Sequence, residues 1–406
     1  MMATTTTALS EQEVRARIQR GRPLALGLGV LGLIVWASGL ATNPKLALQG
    51  YHMAFFYWMG LSLGCLGFAL LLHTVRGRWG LPLIRYFESG ALLIAPLMAV
   101  AFLPILYDVF VTHAIFEWTH KEVVAADPVL QAKRPWLNET RFAIGALVYF
   151  AVFAFFAYRL WNGSKQEDES GDPIKAEFLS RQRSGHAAFG IVVFMLLFTL
   201  AMVDWGQSLM PHWFSTMYAV IMIAGFGLNA LALALSMVLS WRDLPLYKPI
   251  VYHEGYEGYR RDWGNFMFTL CVFWSYVSLS QLLITYSGNL YEFTQFYLRR
   301  NLGGWQYIAY IIPVFHFFIP FFWFLAPRTK WIPKQLLVGV IVVLAIRVVE
   351  IFWQIKPMWA ETLSISVYDV AAFVGLGGVW MYMMLGNLLK RPLVPKNEPR
   401  LLETAH

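Results

Sequence analysis

Arg85 and Glu88 stand three residues apart inside the apolar run 82–105, and Arg347 and Glu350 repeat that spacing inside 336–355. On a helix, residues three apart share one face, so each pair could neutralise itself or pass a proton along that face. His316 lies midway through IIPVFHFFIPFF, and histidine is the side chain that changes charge near neutral pH. Asp204 closes one apolar run within AMVDWGQSLMPHWFS, Asp369 stands near the start of another, and Glu292 and Arg299 follow the run 264–286. Ionisable groups at bilayer depth are costly, and they mark proton relays or substrate paths. The chemistry that these residues could perform is therefore proton transfer. Structural readings compete with it. A buried acid–base pair can simply orient two helices, and His316, four residues before Pro320, could bond the carbonyl that the proline ring leaves unpaired. Contact with lipid headgroups is a third reading.

The elements that must position these groups are membrane helices. The chain has 406 residues, 58% hydrophobic and only 14% charged, with mean hydropathy +0.52. Soluble domains carry roughly 25% charged residues, so a soluble enzyme is excluded, and disorder is excluded by the apolar content. Ten apolar stretches are long enough to cross a bilayer: 24–41, 51–73, 82–105, 142–160, 186–205, 214–239, 264–286, 305–325, 336–355 and 367–389. The expected fold is all-α and polytopic. A tail over 1–23 precedes a ten-helix domain over 24–389, and a second tail covers 390–406. Ser10 and Glu13 have the spacing of a capping box, consistent with a short surface helix or a frayed tail. The segment 106–141 reads as the longest outer loop, either a docking surface or a surface-lying helix. The segment 162–184, with Gly163, Ser164, Gly171, Asp172 and Pro173, reads as flexible and polar.

Metal and redox centres are not expected in this chain. Cys65 and Cys271 sit in apolar runs; there is no CxxCH, no four-cysteine set and no zinc site. His73 and His186 fall near one surface and His212 near the other, so no two histidines face each other at one depth to hold a haem. Basic residues divide unevenly between the loops. Arg15, Arg17, Arg20, Arg22, Arg76, Arg78, Arg159, Lys165, Lys175, Arg181, Arg183, Arg242, Lys248, Arg260, Arg261, Arg328, Lys330, Lys334, Lys390, Arg391, Lys396 and Arg400 lie on the side of the termini. Only Lys45, Lys121, Lys133, Arg134, Arg299, Arg300 and Lys356 lie opposite. The positive-inside rule then places both termini in the cytoplasm. Topology and anionic lipid account for the net charge of +8; dispersion of the basic residues over many loops gives no nucleic-acid surface.

Three stretches carry a family resemblance: DWGQSLMPHWFST (204–216), FWSYVSLSQLLITYSGNLYEFTQFYLRR (273–300), and HFFIPFFWFL (316–325) with RVVEIFWQIKP (347–357). Together they resemble the NrfD family, the membrane subunits of polysulfide-reductase-type complexes. The likeness is closest to the ActF-type subunit of bacterial alternative complex III. It implies two four-helix bundles with flanking helices in a bacterial inner membrane. It also implies a sister NrfD-like subunit that holds quinol, and periplasmic iron–sulfur and multihaem cytochrome partners. Menaquinol or ubiquinol, haem c and iron–sulfur clusters would belong to the complex, with no cofactor in this chain. Asp204, His212, Asn289, Glu292, His316, Arg347 and Glu350 fall on polar positions of the family. Met210 replaces the aspartate usual before PHW. The residues after Asn289 lack the usual proline and paired glutamates, and Glu350 replaces an aspartate. Missing outer carboxylates weaken a quinol-oxidising role, which needs a base to accept the quinol proton.

The expected function is that of a non-redox subunit of a quinol-oxidising respiratory or photosynthetic complex, conducting protons or acting as scaffold. Arg85, Glu88, His316, Arg347, Glu350 and Asp369 are the proton-path candidates. Asp204, His212, Asn289 and Glu292 are the outer-rim candidates. Three rivals remain: a quinol-binding subunit with Asp204 or Glu292 as base, a secondary transporter, and an inert scaffold. Pro313, Pro320, Gly375, Gly377 and Gly378 are candidate helix breaks in the second half, and no counterpart is read in the first.

Overall fold

A computed structural model describes residues 2–252 and 257–396. Arg400 and the rest of the expected tail from 397 lie outside the described residues. The chain is an all-α, multi-pass membrane protein, with no strand among the described residues. Among the described residues nine helices are long and apolar enough to span a bilayer, and a bent pair makes a tenth when taken as one span. In chain order the spans are Met2–Thr42, Pro44–Val75, the bent pair Ile84–Ile94 and Met98–Thr112, Glu139–Glu169, Pro173–Trp205, Tyr218–Ser240, Glu257–Gly288, Trp305–Leu325, Pro333–Ile355 and Val367–Leu389. All ten expected runs fall on them.

Packing divides the spans into two groups of four. The second to fifth pack on one another, as do the sixth to ninth, and the second crosses the sixth to join the groups. At that crossing a Cβ on Gly64 would lie 2.1 Å from the Phe226 carbonyl oxygen. Only glycine lets the two backbones approach so closely. The first and tenth spans pair along their length and flank the bundles. Their backbones touch where a Cβ on Gly378 would meet the Gly29 nitrogen at 2.4 Å.

Four expectations are corrected here. The first helix runs unbroken from Met2 through Pro23 to Thr42, so Ser10 is interior to it and does not stand at a helix start. The polar segment 162–184 is no loop: the fourth helix extends to Glu169 and the fifth starts at Pro173. Asp172 caps that start by accepting from the Ile174 amide at 2.9 Å, and Gly171 makes the turn at φ +64°. The first half does contain a break. The third span bends by 45° between Ile94 and Met98, around Pro96. Opposite the termini, the 113–138 connection holds two short helices, Lys121–Ala126 and Pro128–Lys133, in place of one surface helix.

Candidate functional site

Buried charge collects at three levels along the spans. Midway, Arg347, Glu350 and His316 are all fully buried. The i, i+3 spacing on the ninth helix brings Arg347 Nη1 onto Glu350 Oε2. His316 Nε2 lies 3.9 Å from the same carboxylate oxygen. Trp274 of the seventh span donates from Nε1 to Glu350 Oε1 at 3.1 Å, and its ring stands edge-on to His316 at 3.7 Å. The guanidinium fits because position 225 is glycine; a Cβ there would lie 2.3 Å from Arg347 Nη1. Close by, Tyr57 donates to Asn229 Oδ1 at 3.2 Å.

His316 sits in a π-type turn over Pro313–Phe318, closed by the Ile319 amide on the Val314 carbonyl. Neither ring nitrogen makes a hydrogen bond. The reading that His316 satisfies a carbonyl freed by Pro320 is therefore wrong, because the widened turn places the ring toward Glu350 and Trp274 instead. Glu350 Oε2 faces the Arg347 guanidinium and, at 3.9 Å, the His316 ring. Unsatisfied polar atoms at such depth are rare and call for an explanation.

At the end of the bundle that carries the termini, Glu88 is 1% exposed and meets three bases. Arg85 Nη1 donates to it at 3.1 Å, Arg391 Nη2 reaches the same oxygen, and His73 Nε2 donates to its other oxygen at 2.9 Å. Arg183 Nε donates to His73 Nδ1 at 3.0 Å, which fixes the neutral tautomer of that imidazole. Arg85 also forks onto Asp168 at 2.6 Å, and Arg183 pairs with Glu167.

The opposite end holds two separate pairs. Asp204, 1% exposed, is bound by Arg141, by Tyr149 Oη at 2.8 Å and by Trp136 Nε1 at 3.0 Å. Lys356 and Asp369 bury each other at 2.7 and 2.8 Å, and Asp369 also caps the tenth helix by accepting from the Ser366 amide. Between them opens a cavity of about 1210 Å³, with Gln49, Phe116, Met358 and Trp359 inside and His212, Glu292, Lys133 and Arg299 around it. Asp108, expected on an exposed loop, is fully buried beneath it and accepts from the Ala114 and Ile115 amides at 2.7 and 3.0 Å. His212 pairs with Asp127 at 2.8 Å. Burial pulls the Lys133 ammonium below its ordinary range, against the opposing charges of Glu292 and Asp127. Behind the cavity, Arg300 is fully buried on carbonyls of Phe296, Trp353 and Gln354, and burial pushes it down to about 9.

The expected proton-path residues therefore fall into three groups: Arg85 with Glu88, His316 with Arg347 and Glu350, and Asp369 alone with Lys356. Of the outer-rim residues only His212 and Glu292 reach the cavity. Asp204 is buried beside Arg141, and Asn289 is an exposed helix cap at φ +45° that bonds back to Thr285. Sequence reasoning missed His52, fully buried and donating to the Trp205 carbonyl at 2.8 Å. It also missed Arg141, Lys356, Arg183 and Arg391 as partners of the buried acids. Neither a family model nor a characterised protein matches this chain, so its site is read from its own geometry.

Proposed function

We propose that this chain is a non-redox membrane subunit of a quinol-oxidising electron-transfer complex of the alternative complex III type. It would sit in a bacterial inner membrane with both termini in the cytoplasm. It would supply proton-bearing groups and scaffolding beside a quinol-holding sister subunit. Haem c and iron–sulfur clusters would belong to periplasmic partners, and menaquinol or ubiquinol to the complex. The observation that carries the proton role is the middle cluster. There a histidine without hydrogen-bond partners stands 3.9 Å from the carboxylate of the Arg347–Glu350 pair at mid-span. Groups of that kind exchange protons through an intervening water. The two four-helix groups with flanking helices support the resemblance on which the respiratory role rests.

Purification in mild detergent tests the class. A large iron–sulfur protein and a multihaem cytochrome are expected to travel with the chain. Recovery of the chain without any redox protein would overturn the reading.

A second reading has its own support. The outer cavity has an aromatic floor and places Gln49 and Glu292 around one space, which suits a quinol ring with a base at hand. A photoreactive quinone that labels residues of this cavity would favour it; labelling of the sister subunit alone would remove it.

A further inference from the structure

Residues 391–396 follow the tenth helix without regular structure of their own. They are nevertheless sunk into the protein: Leu393 is fully buried and Arg391 is 5% exposed. Side chains hold them. Arg391 Nη2 reaches Glu88, and its Nη1 donates to the Trp161 carbonyl at 2.8 Å. Arg15 of the first helix donates to the Arg391 carbonyl at 2.7 Å, and the Leu393 and Lys396 amides lean on Glu11 and Asp168 at 3.3 and 3.4 Å. Such a segment can leave without unfolding a helix.

Beneath it, Pro395 closes a cavity of about 30 Å³ lined by His73, Arg85, Ser164, Ser180 and Arg183. Arg85 Nε and Arg183 Nη1 are buried donors without acceptors, on side chains 3% and 8% exposed. The surrounding charges balance: Arg85, Arg183 and Arg391 face Glu88, Glu167 and Asp168, Arg76 at the cavity wall is paired with Glu177, and His73 is neutral between them. Neither an anion nor a cation gains from entering a balanced cluster. The volume fits one water molecule, which brings the acceptor lone pairs that the two guanidinium groups lack.

We propose that this cavity is a one-water site and that residues 391–396 are its lid, with Arg391 on Glu88 as the latch. Its role rests on the proton-path reading above: the lid would decide when water reaches His73 and Glu88. The lid itself is detectable whether or not protons move.

The test is labelling of Ser164→Cys in membranes holding the full chain, with an impermeant maleimide on the face that carries residue 391. Cys65 and Cys271 are 2% and 0% exposed and give little background. Ser164→Cys should react slowly, and Arg391→Lys should leave it slow. Arg391→Ala should speed labelling at least about tenfold, since an ion pair that deep is worth more than that factor. Glu88→Gln, nearly the same shape, should do the same from the other side of the latch. Unchanged labelling in either variant would overturn the lid. In the unsubstituted chain, amides of 391–396 should exchange with solvent faster than those of the tenth helix, and equal protection would also overturn it. A high-resolution map should show a single water within hydrogen-bond reach of Arg85 Nε and Arg183 Nη1; no density there would remove the water site.

Discussion

Replacing Arg347 by alanine is expected to cost this chain about 3–5 kcal/mol, because it strands the Glu350 carboxylate in the protein interior without its cation. Glu350 is fully buried and would keep one hydrogen bond, from Trp274. A loss of that size is a large share of a typical folding stability of about 5–15 kcal/mol. The single variant should melt far below the parent in detergent. The double variant Arg347→Met/Glu350→Met should recover most of the loss, since apolar residues of similar volume replace a buried pair at little cost. A single variant as stable as the parent would mean that the two charges are not coupled.

The second large effect is expected at Asp369→Ala. Lys356 is 1% exposed, and Asp369 is its only acid partner among the described residues. The substitution strands the ammonium, at about 3–5 kcal/mol, and also removes the bond to the Ser366 amide, a cap worth about 1 kcal/mol. Asp369→Asn keeps the cap and loses the charge, so it should fall between. Lys356→Met/Asp369→Asn should then be more stable than Asp369→Asn alone, as read by thermal unfolding. If the order of these variants is reversed, the pair does not anchor the tenth span.

The spans were readable because a bilayer imposes one rule on every helix, a long apolar run. The i, i+3 spacing of Arg347 with Glu350 was readable too, since it is local. What brought His316 and Trp274 to that pair was not. Their meeting depends on how the seventh, eighth and ninth helices rotate against one another, and on a widened turn that no pattern around Pro313 announces. The segment 162–184 was misread for a related reason. Its glycines, serines and charges are local turn signals, while the contacts that keep it helical reach from Glu167 and Asp168 to Arg183 and Arg85.

A further lesson concerns charge. Arg183, Arg391 and Lys356 were counted as loop charges when orientation was inferred, yet each is buried against an acid or an imidazole. Sequence distance hides such partners. Arg391 and Glu88 are separated by 303 positions, and only the packing of the tenth span beside the third brings them together. Every buried acid among the proton-path candidates has a base beside it. Pure helix anchoring accounts for Asp369 and for much of Glu88. It does not account for His316, which holds nothing.

His316 is therefore where structure and function separate most cleanly. Its ring packs against Trp274 and makes no hydrogen bond, so His316→Phe keeps the packing and removes only the proton-binding nitrogens. The decisive measurement is the proton-to-electron ratio of the purified complex in sealed liposomes, with and without this substitution. The account predicts normal assembly, an electron rate close to the parent's, and a lowered ratio. A ratio equal to the parent's, in a complex that assembles and turns over normally, would contradict it.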